Sequence, residues 1–339
     1  MDDNTTPSVT AAFGTVFADQ MSMARYDQGQ WQPHYLSATA AIPMHPAAHV
    51  LHYASSCFEG MKAFRWTDGS IRIFRMDQHI QRMVKSSKLL YLPVPDTEML
   101  EQMLRDVTHA ARDVVPGAPG ALYLRPSLIG TMENIGAAGS PSESALLFIL
   151  ASPVGDYFGN DDHATRILLT DNQQRATHEF GMAKAGANYA QALGTTMQAR
   201  KEYQADTVLF APGGDVQETG ASNFLLINDQ EIITKNLDSS FLAGVTRDST
   251  LQLGKTLGYR VSERAIHVDE VLDWVAAGGE AALSGTAAVL AGVGTIIYKG
   301  REHVLSNGGV GPNTRRLRGA LTDIQTGKSA DTMNWLTEI

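Results

Sequence analysis

The stretch GDYFGNDDHAT, residues 155–165, lies near the middle of the chain and divides it into two halves. It is polar, contains two glycines and has no hydrophobic periodicity, a pattern typical of a linker between domains. A chain of 339 residues fits two domains of roughly 100–200 residues each. We therefore predict an N-terminal α/β domain over 1–154, a linker over 155–165 and a C-terminal α/β domain over 166–339, with residues 1–12 disordered.

The half before this stretch mixes strand and helix patterns. Alternating or continuous apolar runs predict strands, and apolar residues on one helical face predict helices. The predicted strands are SIRIFR (70–75), GALYLRPSLIG (120–130) and SALLFILASPVG (144–155), and the predicted helices are 76–91 and 96–115.

The half after it is also mixed, without a regular βαβ rhythm. The predicted strands are RILLT (166–170), DTVLFAP (206–212), NFLLI (223–227) and a glycine-broken run over 280–298. The predicted helices are 188–203, 246–257, 268–277 and 311–327. Both halves therefore favour a mixed α/β fold.

Composition and charge exclude several classes of protein. The formal net charge of −9 argues against a nucleic-acid or membrane-surface binder, since either needs a basic face. No apolar run approaches the ~18 residues of a membrane span, and the N-terminus does not resemble a signal peptide. The single cysteine, Cys57, excludes an intrachain disulfide and is expected to be a small buried hydrophobe. We expect a cytoplasmic protein, and the histidines show no motif of a metal site.

A single charged residue, Lys184, stands among small residues in FGMAKAGANYA, 180–190. Small neighbours let the backbone and another molecule approach closely, although most lysines are simply solvated. In a crowded site, burial lowers the pKa of a lysine, and the neutral amine can form a Schiff base with a carbonyl. Lys184 is therefore a candidate covalent anchor for an aldehyde or a keto acid.

Three other motifs supply what a pyridoxal phosphate enzyme needs beside its lysine. Such an enzyme needs a carboxylate against the pyridine nitrogen and donors for a phosphate. Glu218 in QETGASNF is a candidate carboxylate, although an exposed glutamate in a loop would give the same sequence pattern. Thr246 in LAGVTRDS and Thr286 in LSGTAA are candidate phosphate donors, but helix capping and a tight turn use the same residues.

Taken together and in this order, the motifs resemble those of the branched-chain amino acid aminotransferases, pyridoxal phosphate enzymes of fold type IV. The resemblance runs from about Phe13 to the C-terminal helix, nearly the whole chain. Its other motifs are FGTVFADQM, LHYASSCFEGMKAFRW, IQRM, LYLRPSLIG and SPVGDYF. It implies two α/β domains joined by an interdomain loop, with the active site at the domain interface, and a homodimer.

The resemblance also implies a role for each matched cofactor position. Lys184 would form the Schiff base and carry the proton between substrate and cofactor, Tyr189 would bond the cofactor O3′, and Glu218 would face the pyridine nitrogen. Arg82 would bind the phosphate, although the residues alone do not favour it over Arg75. The remaining phosphate donors would be Val245, Thr246 and Thr286.

For the substrate, the resemblance implies an aromatic pocket and one cation. Arg125 would bind the side-chain carboxylate of glutamate, and the amides near Thr286 and Ala287 would bind the α-carboxylate. The aromatic pocket would consist of Phe13, Tyr53, Phe58 and Tyr123. Ile135 and Ala137 would lie on a loop that crosses to the partner subunit's active site.

The implied reaction is ping-pong transamination between L-leucine, L-isoleucine or L-valine and 2-oxoglutarate. Ala221 stands where some relatives have a threonine, and Ala288 and Ala291 stand where mitochondrial relatives have a redox-sensitive cysteine pair. Alternatives of the same fold are D-amino acid aminotransferase and aminodeoxychorismate lyase. A Schiff-base aldolase without the cofactor, or a binding protein without chemistry, are alternatives of other classes.

Overall fold

The chain forms two compact units, and the computed structural model describes residues 12–156 and 163–339. The first unit is built from three stretches of the described chain, 12–156, 183–186 and 324–339. The second unit is built from two, 163–182 and 187–323. Residues 157–162 of the predicted linker, and 1–11 of the segment predicted to be disordered, lie outside the described residues.

The described residues form seven α-helices and seventeen strands. The helices are α1 (His49–Tyr53), α2 (Met76–Leu89), α3 (Thr97–Ala110), α4 (Gly186–Tyr203), α5 (Val245–Thr256), α6 (Val268–Ala276) and α7 (Pro312–Gln325). The strands before the linker are β1 (Gln20–Asp27), β2 (Gln30–Trp31), β3 (Tyr35–Ala38), β4 (Ser56–Phe58), β5 (Met61–Arg65), β6 (Ile71–Phe74), β7 (Ala121–Gly130) and β8 (Ala145–Val154). Those after it are β9 (Thr165–Thr170), β10 (Thr207–Phe210), β11 (Asn223–Ile227), β12 (Glu231–Thr234), β13 (Arg260–Glu263), β14 (Glu280–Gly285), β15 (Val289–Tyr298), β16 (Arg301–Val304) and β17 (Leu336–Glu338).

An antiparallel sheet of nine strands forms the centre of the first unit. Its order is β17-β6-β5-β7-β8-β1-β2, with β3 beside β1 and β4 beside β7. The long pair β7–β8 runs in register from Ala121 opposite Val154 to Gly130 opposite Ala145. Alternate residues of a strand share one face of the sheet, so Tyr123 and Arg125 of β7 lie on the same face.

Helix α3 shows why the first unit packs as it does. The Asp96 side chain accepts a hydrogen bond from the backbone N–H of Met99 and caps the helix. The buried side chains on one face are Leu100, Met103, Leu104 and Val107. Burial of each such side chain stabilises the fold by about 1.5–3 kcal/mol.

The second unit is built on a mixed sheet of eight strands. Its order is β10-β9-β15-β14-β11-β12-β13, with β16 beside β15. The pairs β9–β10, β9–β15 and β12–β13 are parallel, and the other pairs are antiparallel. Mixed pairing of this kind explains the irregular order of strand and helix patterns in the sequence.

Two predicted elements differ in detail from the structure. The helix predicted over 96–115 ends at Ala110 and is followed by a 3₁₀ turn, Arg112–Val114. The Arg65 guanidinium donates to the carbonyls of Arg112 and Val115. These carbonyls therefore bond a side chain, whereas in a continuing helix they would accept from backbone amides. The run over 280–298 is a hairpin, in which residues 286–288 connect β14 to β15.

Cys57 is buried in the core of the first unit, as the sequence predicts. Burial, with a smaller contribution from the charge of Glu59, raises the pKa of its thiol to about 12. Such a thiol is unreactive at neutral pH. Among the described helices, none combines the length and the apolar character that crossing a membrane requires.

Candidate active site

The segment that carries Lys184 is fixed by backbone contacts within the first unit. The backbone N–H of Lys184 donates to Ser86 Oγ of α2 at 3.0 Å, and its carbonyl accepts from the Phe58 N–H at 3.0 Å. Cys57 and Ala185 form an isolated antiparallel bridge beside it. Lys184 itself is half-buried. The small residues around it therefore allow this segment to pair with β4 while its amine stays accessible.

The Lys184 amine lies beside an aromatic ring of the predicted substrate pocket. Its Nζ is 4.9 Å from the centroid of the Phe58 ring. The Arg125 guanidinium lies 4.8 Å from the centroid of the same ring, and its Nη2 donates to the Tyr123 hydroxyl at 2.9 Å. Phe13 packs edge-to-face on Tyr123, with 4.9 Å between the ring centroids. Five residues predicted from different parts of the sequence therefore form one continuous cluster.

Two details show how this cluster is built. A Cβ on Gly60 would lie 1.9 Å from the Tyr123 hydroxyl oxygen, so only glycine leaves room for the ring. Arg125 Nε is buried and has no hydrogen-bond partner within the described part of the chain. A guanidinium with an unused buried donor beside two aromatic rings suits a ligand that carries both a carboxylate and an apolar chain.

The loop predicted to reach the partner subunit begins beside α1. The Tyr53 hydroxyl donates to the carbonyl of Ile135. His49 Nε2 lies 3.3 Å from the Ala137 carbonyl oxygen, and His49 Nδ1 lies 2.8 Å from Ser55 Oγ. Ala137 is buried, whereas Ile135 is 67% exposed. The structure thus places Ile135 at the surface, in contact with Tyr53.

Arg82, the predicted phosphate residue, is held by a buried carboxylate in the first unit. Its Nε donates to Glu59 Oε1 at 2.6 Å, and its Nη2 donates to Glu59 Oε2 at 2.8 Å. His79 Nδ1 lies 2.7 Å from Glu59 Oε2. Burial alone raises the pKa of the Glu59 carboxyl, but Arg82 and His79 hold it well below its usual range. The pKa of His79 is lowered, chiefly by burial and against the pull of Glu59.

Glu218, the predicted partner of the pyridine nitrogen, is buried in the second unit. Its Oε1 accepts from Arg175 Nη1 at 2.6 Å and from the backbone N–H of Leu242 at 3.0 Å. Its Oε2 lies 3.3 Å from the donating Asn223 Nδ2. A guanidinium and two further donors stabilise the ionised carboxylate. Glu218 is therefore a fixed buried anion rather than an exposed loop acid.

Arg175 also reaches the predicted O3′ partner, Tyr189. The Arg175 guanidinium lies 5.5 Å from the centroid of the Tyr189 ring. Tyr189 is in the first turns of α4, where Asn188 donates to the Phe180 carbonyl at 3.0 Å. The second unit therefore brings Tyr189 and Glu218 together around one arginine.

The predicted phosphate donors of the second unit lie at a helix start and in a hairpin turn. Val245 and Thr246 are the first residues of α5 and are buried. The first amides of a helix have no partner within it, so they form a natural anion site. Thr286 and Ala287 belong to the turn between β14 and β15. Next to that turn, Ser284 Oγ is buried without a hydrogen-bond partner in the described residues.

The chemistry of these donors fits pyridoxal phosphate. The first unit contains an amine and an arginine, and the second contains a buried carboxylate, a phenol and helix-start amides. The unpartnered Ser284 hydroxyl adds a donor beside the hairpin turn. Pyridoxal phosphate needs an amine that acts as a base, a carboxylate beside its ring nitrogen, a phenol and several phosphate donors. The described residues include a candidate for each of these.

Sequence reasoning missed the residues that hold the predicted ones. Glu59 and His79 fix Arg82, and Arg175 fixes Glu218. Glu59 lies within the quoted motif FEGMKAF, but nothing local marks it as the partner of a helix arginine 23 residues away. The only signal for Arg175 is a charged residue shortly before a small-residue segment, and a solvated arginine gives the same signal.

Comparison with known proteins supports a family assignment. The family model described as "Amino-transferase class IV" matches residues 56–296. The chain is similar to branched-chain-amino-acid transaminase 1 of Bacillus subtilis, with 34% identity over 96% of this chain and 94% of that protein. It is 37% identical to a probable branched-chain-amino-acid aminotransferase of Staphylococcus epidermidis, over 96% of this chain and 93% of that protein.

A solved structure is similar over almost the same length. The branched-chain amino acid aminotransferase from T.th., crystallised with pyridoxamine 5′-phosphate, has a TM-score of 0.80 and 26% sequence identity. The match covers 95% of this chain and 99% of that one.

Proposed function

Since the chain belongs to the branched-chain aminotransferases of the class IV aminotransferase family, we propose that it transfers the amino group of L-leucine, L-isoleucine or L-valine to 2-oxoglutarate. Pyridoxal 5′-phosphate is the proposed cofactor, and Lys184 the proposed catalytic residue. Because the cofactor would carry the amino group from the first substrate to a second one that binds after the first product has left, the kinetics are ping-pong.

The observation that carries the proposal is the cluster around Lys184. Its Nζ and the Arg125 guanidinium lie 4.9 and 4.8 Å from the centroid of the same ring, Phe58. An isobutyl group needs an apolar wall, and the side chain of glutamate or 2-oxoglutarate needs a cation. The Phe58 and Tyr123 rings supply the wall and Arg125 the cation, so one pocket suits both substrates.

When bound, pyridoxal phosphate supplies an electron-withdrawing pyridine ring that stabilises negative charge at the substrate Cα. Lys184 would hold the cofactor aldehyde at rest, Tyr189 would donate to its O3′, and Glu218 would keep its ring nitrogen protonated. The phosphate would be held by Arg82, by the amides of Val245 and Thr246, and by Thr286. Two observations support these roles: Arg82 in the first unit and Glu218 in the second are both buried, and each is held by fixed partners.

Lys184 has the central role in proton transfer. Its Nζ, once it no longer holds the cofactor, would take the proton from the substrate Cα and deliver it to the cofactor carbon C4′. The fixed backbone of Lys184, bonded to Ser86 and Phe58, limits where that amine can move. A positioned amine of this kind is an efficient general acid and base.

Ile135, one of the predicted pocket residues, is largely exposed in a single chain. We include in the proposal a homodimer in which the loop with Ile135 and Ala137 contributes to the partner's site. The Tyr53 hydroxyl, which bonds the Ile135 carbonyl, would fix that loop. Sedimentation of the purified protein measures the assembly state directly, and a monomer with full activity would refute this part.

The test of the proposed function is an absorption spectrum of the purified protein with pyridoxal phosphate. Addition of L-leucine without a keto acid should convert the visible band to the near-ultraviolet band of the aminated cofactor. Later addition of 2-oxoglutarate should restore the visible band and yield glutamate. D-leucine is the control and should leave the band unchanged. A protein that gives no visible band after reconstitution, or that responds only to D-leucine, would refute the proposal.

A further inference from the structure

Arg175 is the most deeply buried arginine among the described residues of the second unit, with 1% of its surface exposed. Burial of a guanidinium is costly unless every donor finds an acceptor. Its Nη1 bonds Glu218 Oε1 at 2.6 Å, and its Nε donates to the Gly220 carbonyl at 3.2 Å. Arg175 thus holds both the Glu218 side chain and the turn that follows it.

The same guanidinium reaches the segment that leads toward Lys184. Arg175 Nη1 lies 3.5 Å from the carbonyl oxygen of Gly181, three residues before the lysine in sequence. Gly181 cannot be replaced without a shift, since a Cβ there would lie 1.9 Å from the Ser240 carbonyl oxygen. One side chain therefore connects two backbone turns.

We propose that Arg175 is a positioning residue that fixes the ionised Glu218 and the Tyr189 ring for the cofactor. This inference rests on the proposed function, because Glu218 and Tyr189 are there assigned to the ring nitrogen and to O3′. The ring nitrogen and the ring carbon that bears O3′ lie on the same side of a pyridoxal ring, separated by one carbon. A planar group that contacts both protein partners sets the distance between them.

The role requires the shape of arginine as well as its charge. A guanidinium donates from several N–H groups in a fixed plane, whereas a lysine ammonium is a point charge on a flexible stem. Lysine at this position keeps a countercharge for Glu218 but cannot reach Glu218, Gly220 and Gly181 together. Methionine removes both, so Glu218 loses its buried countercharge and the donor that fixes its Oε1.

The experiment compares Arg175→Lys and Arg175→Met with the wild-type full chain. Purified protein is reconstituted over a range of pyridoxal phosphate concentrations, and half-saturation is read from the visible band. Steady-state kinetics with L-leucine are then measured at saturating cofactor. Glu280→Gln is the matched control: Glu280 is a buried anion that binds Asn313 and Thr314 at the start of α7. It stands at the far end of β14 from the Thr286 turn.

Arg175→Lys should weaken cofactor affinity about tenfold and Arg175→Met about 100-fold, as for hydrogen bonds to a charged group. Both variants should lower kcat for L-leucine with KM within about twofold of wild type, because the proposed substrate pocket consists of other residues. Glu280→Gln should lower the melting temperature and leave cofactor affinity and kcat unchanged.

Three outcomes overturn the inference, and only the last of them also overturns the proposed function. If the wild type binds pyridoxal phosphate and responds to L-leucine, but both Arg175 variants match it in affinity and kcat, Arg175 is not a positioning residue. The same conclusion follows if Glu280→Gln loses affinity as much as Arg175→Met, since the effect is then general destabilisation. If the wild type itself binds no cofactor, the proposed function and this inference both fail.

Discussion

Each unit of the molecule contains a buried cluster with one arginine paired to one glutamate. The two residue types exchange roles between the clusters. In the first unit, Glu59 holds Arg82, and the arginine is the residue proposed to meet the ligand. In the second unit, Arg175 holds Glu218, and the carboxylate is the one proposed to meet the ligand. Both pairs are almost completely buried, with side chains at most 9% exposed.

The two clusters show how a protein stabilises a functional charge in an apolar interior. A lone buried charge costs several kcal/mol, whereas a paired one with further hydrogen bonds is tolerated. The supporting residue carries the opposite sign, so the sign of the functional group predicts the sign of its support. A phosphate calls for arginine supported by glutamate, and a protonated ring nitrogen calls for glutamate supported by arginine.

The greatest loss of activity should follow from removal of the proposed reacting amine, which belongs to neither cluster. Lys184→Ala should lower transamination of L-leucine by about 10³-fold or more, because the proton carrier is lost. The fold should persist, since the backbone of this segment makes its main contacts. The two charge clusters serve an active site only if this amine is essential.

Steady-state rates and the melting temperature of Lys184→Ala check this, with Lys85→Ala on the exposed face of α2 as the control. A Lys184→Ala variant whose activity stays within a few-fold of wild type would remove Lys184 from the mechanism.

Breaking the first cluster should produce the next largest effect, on stability. Glu59→Gln leaves the Arg82 guanidinium and His79 without their common anion, and should lower the free energy of unfolding by about 3 kcal/mol. Glu101→Gln is the matched control, because Glu101 pairs with Arg105 at the surface and should lose about 0.5 kcal/mol or less. Urea unfolding at pH 7 measures both.

The same variant predicts a pH dependence. The pKa of Glu59 is lowered in the folded protein, so its stabilising contribution is fully present above the ordinary glutamate pKa of about 4.3. It is lost as the pH falls from there toward the lowered folded value. The stability difference between wild type and Glu59→Gln should therefore narrow in acid. A difference that stays constant from pH 7 to pH 3 would contradict an ionised Glu59.

Arg82 and Arg75 are the two arginines of the first unit considered for the cofactor phosphate. Arg82→Ala should weaken pyridoxal phosphate affinity by about 10- to 100-fold, the value of a charge-assisted hydrogen bond. Arg75→Ala should leave the affinity unchanged, because Arg75 precedes α2 in a left-handed conformation and its guanidinium lies 5.2 Å from the Trp335 ring. Titration of the visible band measures both, and the reverse order would move the phosphate role to Arg75.

Local patterns predicted much of the fold, and the long-range pairs explain what they missed. Helices α2 and α6, each with a clear apolar face, agree with the sequence to within two residues, because periodicity is a local property. Short strands such as β13, β16 and β17 were not predicted. They have three or four residues, mostly exposed or half-buried, and exist because a neighbouring strand offers hydrogen bonds.

The site follows the same division. Lys184, Glu218 and Thr246 are candidates from the sequence because of their local settings, whereas the assignment of Arg82 needs the resemblance to a family. The supports, Glu59 and Arg175, could not be found, since a pair that forms only in the folded chain leaves no local mark. Sequence patterns can thus nominate single residues of a site, but they do not show the pairs that fix those residues.

The smallest change in the free energy of unfolding is expected at Val289, where we test whether the backbone of the second unit is strained. Val289 closes the hairpin turn next to Thr286 and has a φ of 59°, a left-handed conformation that costs a β-branched residue about 1–3 kcal/mol. Val289→Gly removes that cost and loses the burial of one valine, about 1.5 kcal/mol or more. The two terms offset, so the free energy of unfolding should change by about 1 kcal/mol or less. Val293→Gly, in the same strand and also buried but without a positive φ, has no such compensation and should lose about 3 kcal/mol. Urea unfolding measures the loss of unfolding free energy in both variants, and the difference between the two losses gives the strain. Equal losses would mean that the turn is unstrained and that charge alone organises this site.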